Sequence, residues 1–269
     1  MTDHNHKGPQ PTNLINRIVL LGASNLTLSR NLITRLIQRR CGYPSEVLVA
    51  AGHGRSYGHY SRVMIRGLQG ITSCDLWSHL ELTNRLPTYA FLTDIGNDLP
   101  YGHKPEELLE WISWCVNRLL RQDAHIVMTN IPIALIESLS EWHFMAIRSI
   151  FFPFSRLSRV QLVDRAKVVH RGIEEMASQL KFELYEVEPC WLGPDIIHVL
   201  YWKRKELYRR IFDRFPASGD PEKQDMNMPA NLLAWHQRPR FAYKKVMGWE
   251  RCYQQPSAQL NDGTTISMY

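Results

Sequence analysis

Four consecutive apolar residues, Ile18, Val19, Leu20 and Leu21, run directly into Gly22 and from there into a segment of helical spacing. A short unbroken apolar run suits a strand covered on both faces, as the strands of a parallel sheet are. Gly22 permits a tight turn. Beyond it, Ser24 or Asn25 offers an N-cap, and Leu28, Leu32, Ile33, Leu36 and Ile37 make one buried face of a helix. Gly22 and Ala23 thus deliver Ser24 to the C-terminal edge of a strand, at the mouth of a helix. Ligands of open α/β sheets bind at that edge. Taken alone, Ser24 reads as a helix cap, and only what lies downstream gives it another part.

The strand-then-helix pattern repeats. Residues 46–51, 89–95, 124–129 and 182–187 read as further strands, and 71–86, 105–121 and 157–180 as helices, with a basic helix ending near 215. Regular alternation of this kind implies right-handed crossovers and a parallel sheet covered on both faces. With 269 residues, 44% of them apolar, the chain can bury one large domain with an appendage. Residues 1–13, which include His4 and His6, read as a loose tail, 14–215 as the domain, and 216–269 as a linker and an aromatic extension packing back on it. The net charge of +6 is small for this length and scattered, so nucleic acid is an unlikely partner. Five widely spaced cysteines with no Cys-x-x-Cys pair read as reduced, buried thiols of a cytoplasmic protein rather than as a disulfide frame or zinc site. No apolar run reaches membrane-spanning length.

Four strand ends carry the polar residues of interest: Ser24, the loop Gly52-His53-Gly54-Arg55-Ser56-Tyr57-Gly58, Gly96-Asn97-Asp98, and Asp195-Ile196-Ile197-His198. The glycine loop lacks both the dinucleotide pattern and the Walker lysine. A parallel sheet brings all these ends to one side. There a serine hydroxyl, a poor nucleophile by itself, needs a base at hydrogen-bond distance. A histidine can take that proton and return it to a leaving group. A carboxylate three residues earlier can hold Nδ1–H and leave Nε2 toward the serine. Backbone N–H groups at a helix start and in a glycine loop, with an asparagine amide, can receive an oxyanion. Arg55 could bind a substrate carboxylate or phosphate, or pair with a surface acid. The apolar stretch 133–154, with Phe151 and Phe152, is core or a helix packed on the sheet, or else lines an acyl pocket or acts as a lid, its part over 142–154 forming one wall of that pocket.

In these four segments and their order, over about residues 17–215, the chain resembles the SGNH (GDSL-type) hydrolases. The resemblance implies a flavodoxin-like, three-layer α/β/α sandwich around a five-stranded parallel sheet. It implies ester hydrolysis through an acyl-enzyme, with no metal or organic cofactor. It would make Ser24 the nucleophile, His198 the general base and Asp195 its orienting partner, and would form the oxyanion hole from the N–H groups of Ser24 and Gly54 and the side chain of Asn97. The substrate would be a small-molecule ester of small or medium acyl length. Two positions depart from the family pattern: Ala23 stands where an aspartate usually precedes the serine, and Ile95 stands where a glycine usually lies two residues before the asparagine. Gly52 remains an alternative donor to Gly54, and transfer to an acceptor other than water remains open. The rival class is a non-catalytic flavodoxin-like module that holds an anionic ligand or nucleic acid with the glycine loop, Arg55 and the basic helix.

Overall fold

The computed structural model describes residues 13–217 and 238–269. The expected tail up to 12 and the linker around Gly219, Pro221 and Pro229 lie outside them, as does Trp235 of the extension. In chain order the first half forms β1 (Asn16–Gly22), α1 (Ser24–Cys41), β2 (Ser45–Ala51), β3 (Ser61–Val63), β4 (Arg66–Leu68), α2 (Leu76–Leu82), β5 (Thr88–Leu92) and α3 (Pro105–Leu120). The second half forms β6 (His125–Thr129), α4 (Ile133–Glu137), α5 (Glu141–Phe151), α6 (Arg159–Leu180), β7 (Glu183–Tyr185), α7 (Arg204–Phe212), β8 (Tyr243–Val246), β9 (Trp249–Cys252), β10 (Ala258–Gln259) and β11 (Thr265–Met268).

The five expected strands pair in parallel in the order β2-β1-β5-β6-β7, the flavodoxin-like arrangement. Side chains alternate along each strand, so β1 sends Ile18 and Leu20 into one core and Val19 and Leu21 into the other. The first core is closed by α1 and α7 through Leu26, Ile33, Ile37, Tyr208 and Phe212; the second is closed by α2, α3 and α6 through Trp77, Leu108, Ile112, Ala166 and Ile173. This is the three-layer sandwich.

The sheet is wider than its five expected strands. The extension adds β11 parallel to β2 and β10 antiparallel to β11, which makes seven strands. A second, four-stranded antiparallel sheet, in the order β3-β4-β8-β9, joins the extension to residues just after the glycine loop. The helix expected over 71–86 is shorter: a single turn at Ile71–Ser73 precedes α2, because Cys74 adopts an extended conformation between them. Three cysteines are buried as expected, but Cys190 and Cys252 are exposed. No described helix is long and apolar enough to cross a membrane.

Candidate active site

The turn from β1 to α1 places Ser24 as the first helical residue, only 8% exposed. The structure corrects the cap expected there: Ala23 holds the cap position, and no side chain of the turn itself caps the helix. A cap comes instead from the neighbouring strand end. Asp94, just beyond β5, accepts from the N–H of Ala23 at 2.8 Å and of Leu26 at 3.3 Å, which satisfies helix-start donors as a local cap would. Gly22 allows this approach, since a Cβ there would fall 2.8 Å from Thr93 Cγ2 and 3.1 Å from its carbonyl oxygen. Asp94 itself takes left-handed backbone angles, with φ of 60°. Burial of its carboxylate pushes its pKa up against the hydrogen bonds that it accepts.

Asn25 connects this turn to the histidine loop. Its Nδ2 donates to Asp94 Oδ1 and to the Ile197 carbonyl, each at 2.8 Å, while its Oδ1 accepts from Val199 N–H at 2.9 Å. The residues on either side of His198 are therefore held by the residue that follows Ser24. Within the loop, Asp195 Oδ2 lies 2.7 Å from His198 Nδ1, and Asp195 Oδ1 accepts from the N–H groups of Ile197 and His198 at 3.1 and 3.0 Å. Partial burial alone would raise the Asp195 carboxyl, but the His198 ring and these two N–H groups outweigh it and hold the pKa below the usual range. With Nδ1 engaged, Nε2 of His198 is the free nitrogen. Among the described residues no hydrogen bond joins Ser24 Oγ to His198, as is common before substrate tightens a site.

Asn97 follows on a short helical turn, Ile95–Asp98, and its amide donates to the Arg55 carbonyl at 3.2 Å. The N–H groups of Ser24 and Gly54 have no acceptor among the described residues. A cavity of about 170 Å³ opens beside Ser24 and Asn97, with Gly54, Asp195 and His198 outside its lining. Ser24, Asn25 and Asn97 line it, and its walls are otherwise mainly apolar, with Ile131, Phe144, Phe152 and Leu207 among them.

Some expected site residues stand elsewhere. Arg55 is 1% exposed; its guanidinium donates to the main-chain oxygens of Gln69 and Tyr269, so it cannot meet a substrate anion. Its type suggested an anion site because its partner Tyr269, just beyond β11, was not legible as such. Phe152 lines the cavity, but Phe151 does not; its ring lies 5.8 Å from that of His198. Gly54 also lies outside the lining. Asp94 and Asn25 were missed. The only signal for Asp94 was a second acid in Asp94-Ile95-Gly96-Asn97-Asp98, beside a serine turn that lacked its own. His170, Glu174 and Glu186 set three ligand-type atoms within 4.8 Å, the one such group among the described residues. The two glutamates are exposed, and His170 Nδ1 already meets the Ile131 carbonyl at 3.0 Å.

Asp98, next to Asn97, is fully buried. It accepts from Tyr57 N–H at 3.0 Å through one oxygen, and the other has no partner. Burial pushes its pKa up from 3.8 to about 6. The folded state therefore holds this proton more tightly than the unfolded chain, and stability falls as pH rises from about 4 to about 6. Asp98→Asn should leave the melting temperature nearly unchanged at pH 4 and raise it above pH 6, by up to about 3 kcal/mol of unfolding free energy. Melting curves of both proteins from about pH 4 to about pH 8, which brackets the shift, check this; a gain that is the same at every pH would assign it to packing.

No protein-family model matches the sequence, and no curated protein does. Solved structures do. A carbohydrate acetylesterase family member from Sinorhizobium meliloti superposes with a TM-score of 0.51 at 14% identity, over 74% of this chain and 95% of that one. Est24, a carbohydrate acetylesterase from the same organism, gives 0.50 at 15% identity, over 74% and 97%. An aryl esterase of M. Smegmatis in inhibitor-bound form gives 0.49 at 14% identity, over 74% and 97%. At such identities the likeness is one of fold.

Proposed function

We propose that this chain, which has the fold of the SGNH (GDSL-type) hydrolases, is a serine-dependent esterase acting on small-molecule acyl esters. The observation that carries the reading is the Asp195–His198 pair, tied through Asn25 to the turn that bears Ser24. Asp195 fixes the imidazole tautomer. Nε2 of His198 takes the Ser24 proton as Oγ attacks the ester carbonyl, then gives that proton to the departing alkoxide. The resulting acyl-serine is hydrolysed by the same steps, with water as the nucleophile. Negative charge on the carbonyl oxygen falls to the Ser24 N–H, the Asn97 amide and the Gly54 N–H, donors fixed before reaction. The apolar cavity receives the acyl chain.

The deciding experiment is covalent labelling by a fluorophosphonate ester, read by mass spectrometry, together with a panel of acetyl to medium-chain nitrophenyl esters. The expected result is one adduct on Ser24, protection by hydrolysable esters, and in Ser24→Ala no labelling and a kcat lowered by about 10⁴-fold or more. Labelling at another residue, or ester turnover that Ser24→Ala leaves close to wild type, overturns the reading.

The cavity wall adds a second expectation. Phe152 faces the space assigned to the acyl chain and packs edge-on against Tyr101 at 5.5 Å between ring centroids. Phe152→Ala should shift the ratio of kcat/KM between medium-chain and acetyl esters by about 1–3 kcal/mol. Because a ratio cancels the fraction of folded enzyme, an equal loss on every ester would make Phe152 a core residue instead.

A further inference from the structure

Two hairpin turns lie side by side at one end of the four-stranded sheet. The first joins β3 to β4 through Met64 and Ile65; the second joins β8 to β9 through Met247 and Gly248. Met247 N–H donates to the Ile65 carbonyl at 2.9 Å, which holds the two tips together. The apolar side chains there stand in solvent: Met64 is 88% exposed, Trp249 76%, Met247 71% and Ile65 54%. Both methionines also have positive φ, 53° and 51°. Glycine or asparagine fills that region at lower cost, so a turn has no structural need of methionine there. A long apolar side chain held outward on a strained backbone, twice and in adjacent turns, points to contact with something outside the fold.

The charge behind the tips says what. The four strands carry Arg62, Arg66, Lys244, Lys245 and Arg251 against a single acid, Glu250, which lies 3.9 Å from Lys245 Nζ. Register puts Arg62 and Lys245 on one face of the sheet and Arg66 and Arg251 on the other, so cations flank the tip on both sides. Of these, Arg66 is partly engaged, over the Phe241 ring and near the His53 carbonyl. We propose that this end of the sheet docks the protein onto a bilayer surface that carries anionic lipids. Methionine, isoleucine and tryptophan side chains would enter the boundary between headgroups and acyl chains, and the cations behind them would meet the headgroups. The same sheet packs on the glycine loop along its length, so closely that a Cβ on Gly52 would lie 2.4 Å from Leu68 Cδ1 at its base and one on Gly54 2.5 Å from Val63 Cγ2, just before the Met64 turn. A docked tip therefore brings the side of the molecule that bears the glycine loop toward the lipid.

The test is sedimentation of the full chain with vesicles of phosphatidylcholine alone, or of phosphatidylcholine and phosphatidylglycerol in equal parts. It reads binding, not turnover, and so stands whether or not the chain is an esterase. Wild type should pellet with the anionic vesicles, much less with the neutral ones, and be released at about 1 M salt, where screening acts within about 3 Å. The double variant Met64→Gly/Met247→Gly relaxes both turns while removing both side chains. It should melt at or above the wild-type temperature and pellet no better than wild type does with neutral vesicles. Met64→Asp/Met247→Asp should lose binding as well. Equal pelleting of wild type and the glycine variant overturns the proposal, as does absence of binding by wild type. A dimer that the glycine variant dissolves, without vesicle binding, would give the tip to a second copy of the chain and overturn it too.

Discussion

Ser24→Ala and His198→Ala should each lower kcat on the best ester by about 10⁴-fold or more, and the double variant should be little worse than either. The non-additivity follows from the roles. Without Nε2 at hand, the Ser24 hydroxyl keeps its proton and is no better a nucleophile than solvent; without Oγ, the imidazole has nothing to activate. Neither change removes a donor to the oxyanion, because the N–H of Ser24 stays in the Ser24→Ala backbone. Residual turnover above the uncatalysed rate should therefore remain equal in all three variants. Both side chains contribute little to packing, Ser24 as a single hydroxyl and His198 as a partly exposed ring, so melting temperatures should stay close to wild type. Steady-state kinetics of the two single variants and the double variant decide the matter. Losses that multiply would mean that the two residues act in separate steps.

Asn97→Ala should cost about 10²–10³ in kcat with KM and melting temperature nearly constant. The amide carries two N–H donors. The Arg55 carbonyl accepts from it at 3.2 Å, which fixes the orientation of the group, and the amide borders the cavity where the carbonyl oxygen of an ester would lie. A neutral donor held in this way need not reorganise when charge develops. That is why its loss is felt in the transition state and not in substrate binding. Asn97→Asp is the sharper control, since a carboxylate of the same shape would repel the oxyanion and should be worse than alanine. If both variants keep their turnover per folded molecule and lose stability, Asn97 only shapes the turn.

The parallel core of the fold was legible because buried strands announce themselves as apolar runs, and the amphipathic α1, α3 and α6 as 3.6-residue spacing between them. The two helices laid over the cavity, α4 and α5, were left open as core or wall, since an apolar helix reads the same in either place. The polar network was less legible still. Asn25 looks in the sequence like one more cap candidate beside Ser24, yet its amide spans 172 residues to reach Ile197. Asp94 likewise serves a turn 71 residues before it. Such bonds leave no periodicity, because each depends on one side chain meeting one backbone group across the sheet edge. Arg55 was misjudged for a related reason. A charged residue in a glycine loop implies solvent unless the segment that covers it is known, and its partner Tyr269, just beyond β11, comes 214 residues later.

That late strand has a consequence for how the molecule reaches its folded state. Until residues 265–268 arrive, β2 is an outer strand whose backbone donors and acceptors face outward over seven positions, Ser45–Ala51, of which only Glu46 is charged. Ser45 N–H finds its partner, Thr264 Oγ1, only across 219 residues of chain. Closure over such a separation is slow compared with local pairing, and a bare, flat, apolar strand is a template for joining another molecule. During synthesis, therefore, a nearly complete domain must wait for the strand that covers β2. A chain cut short before Ala258 would carry every residue of the candidate active site and still tend to aggregate through β2.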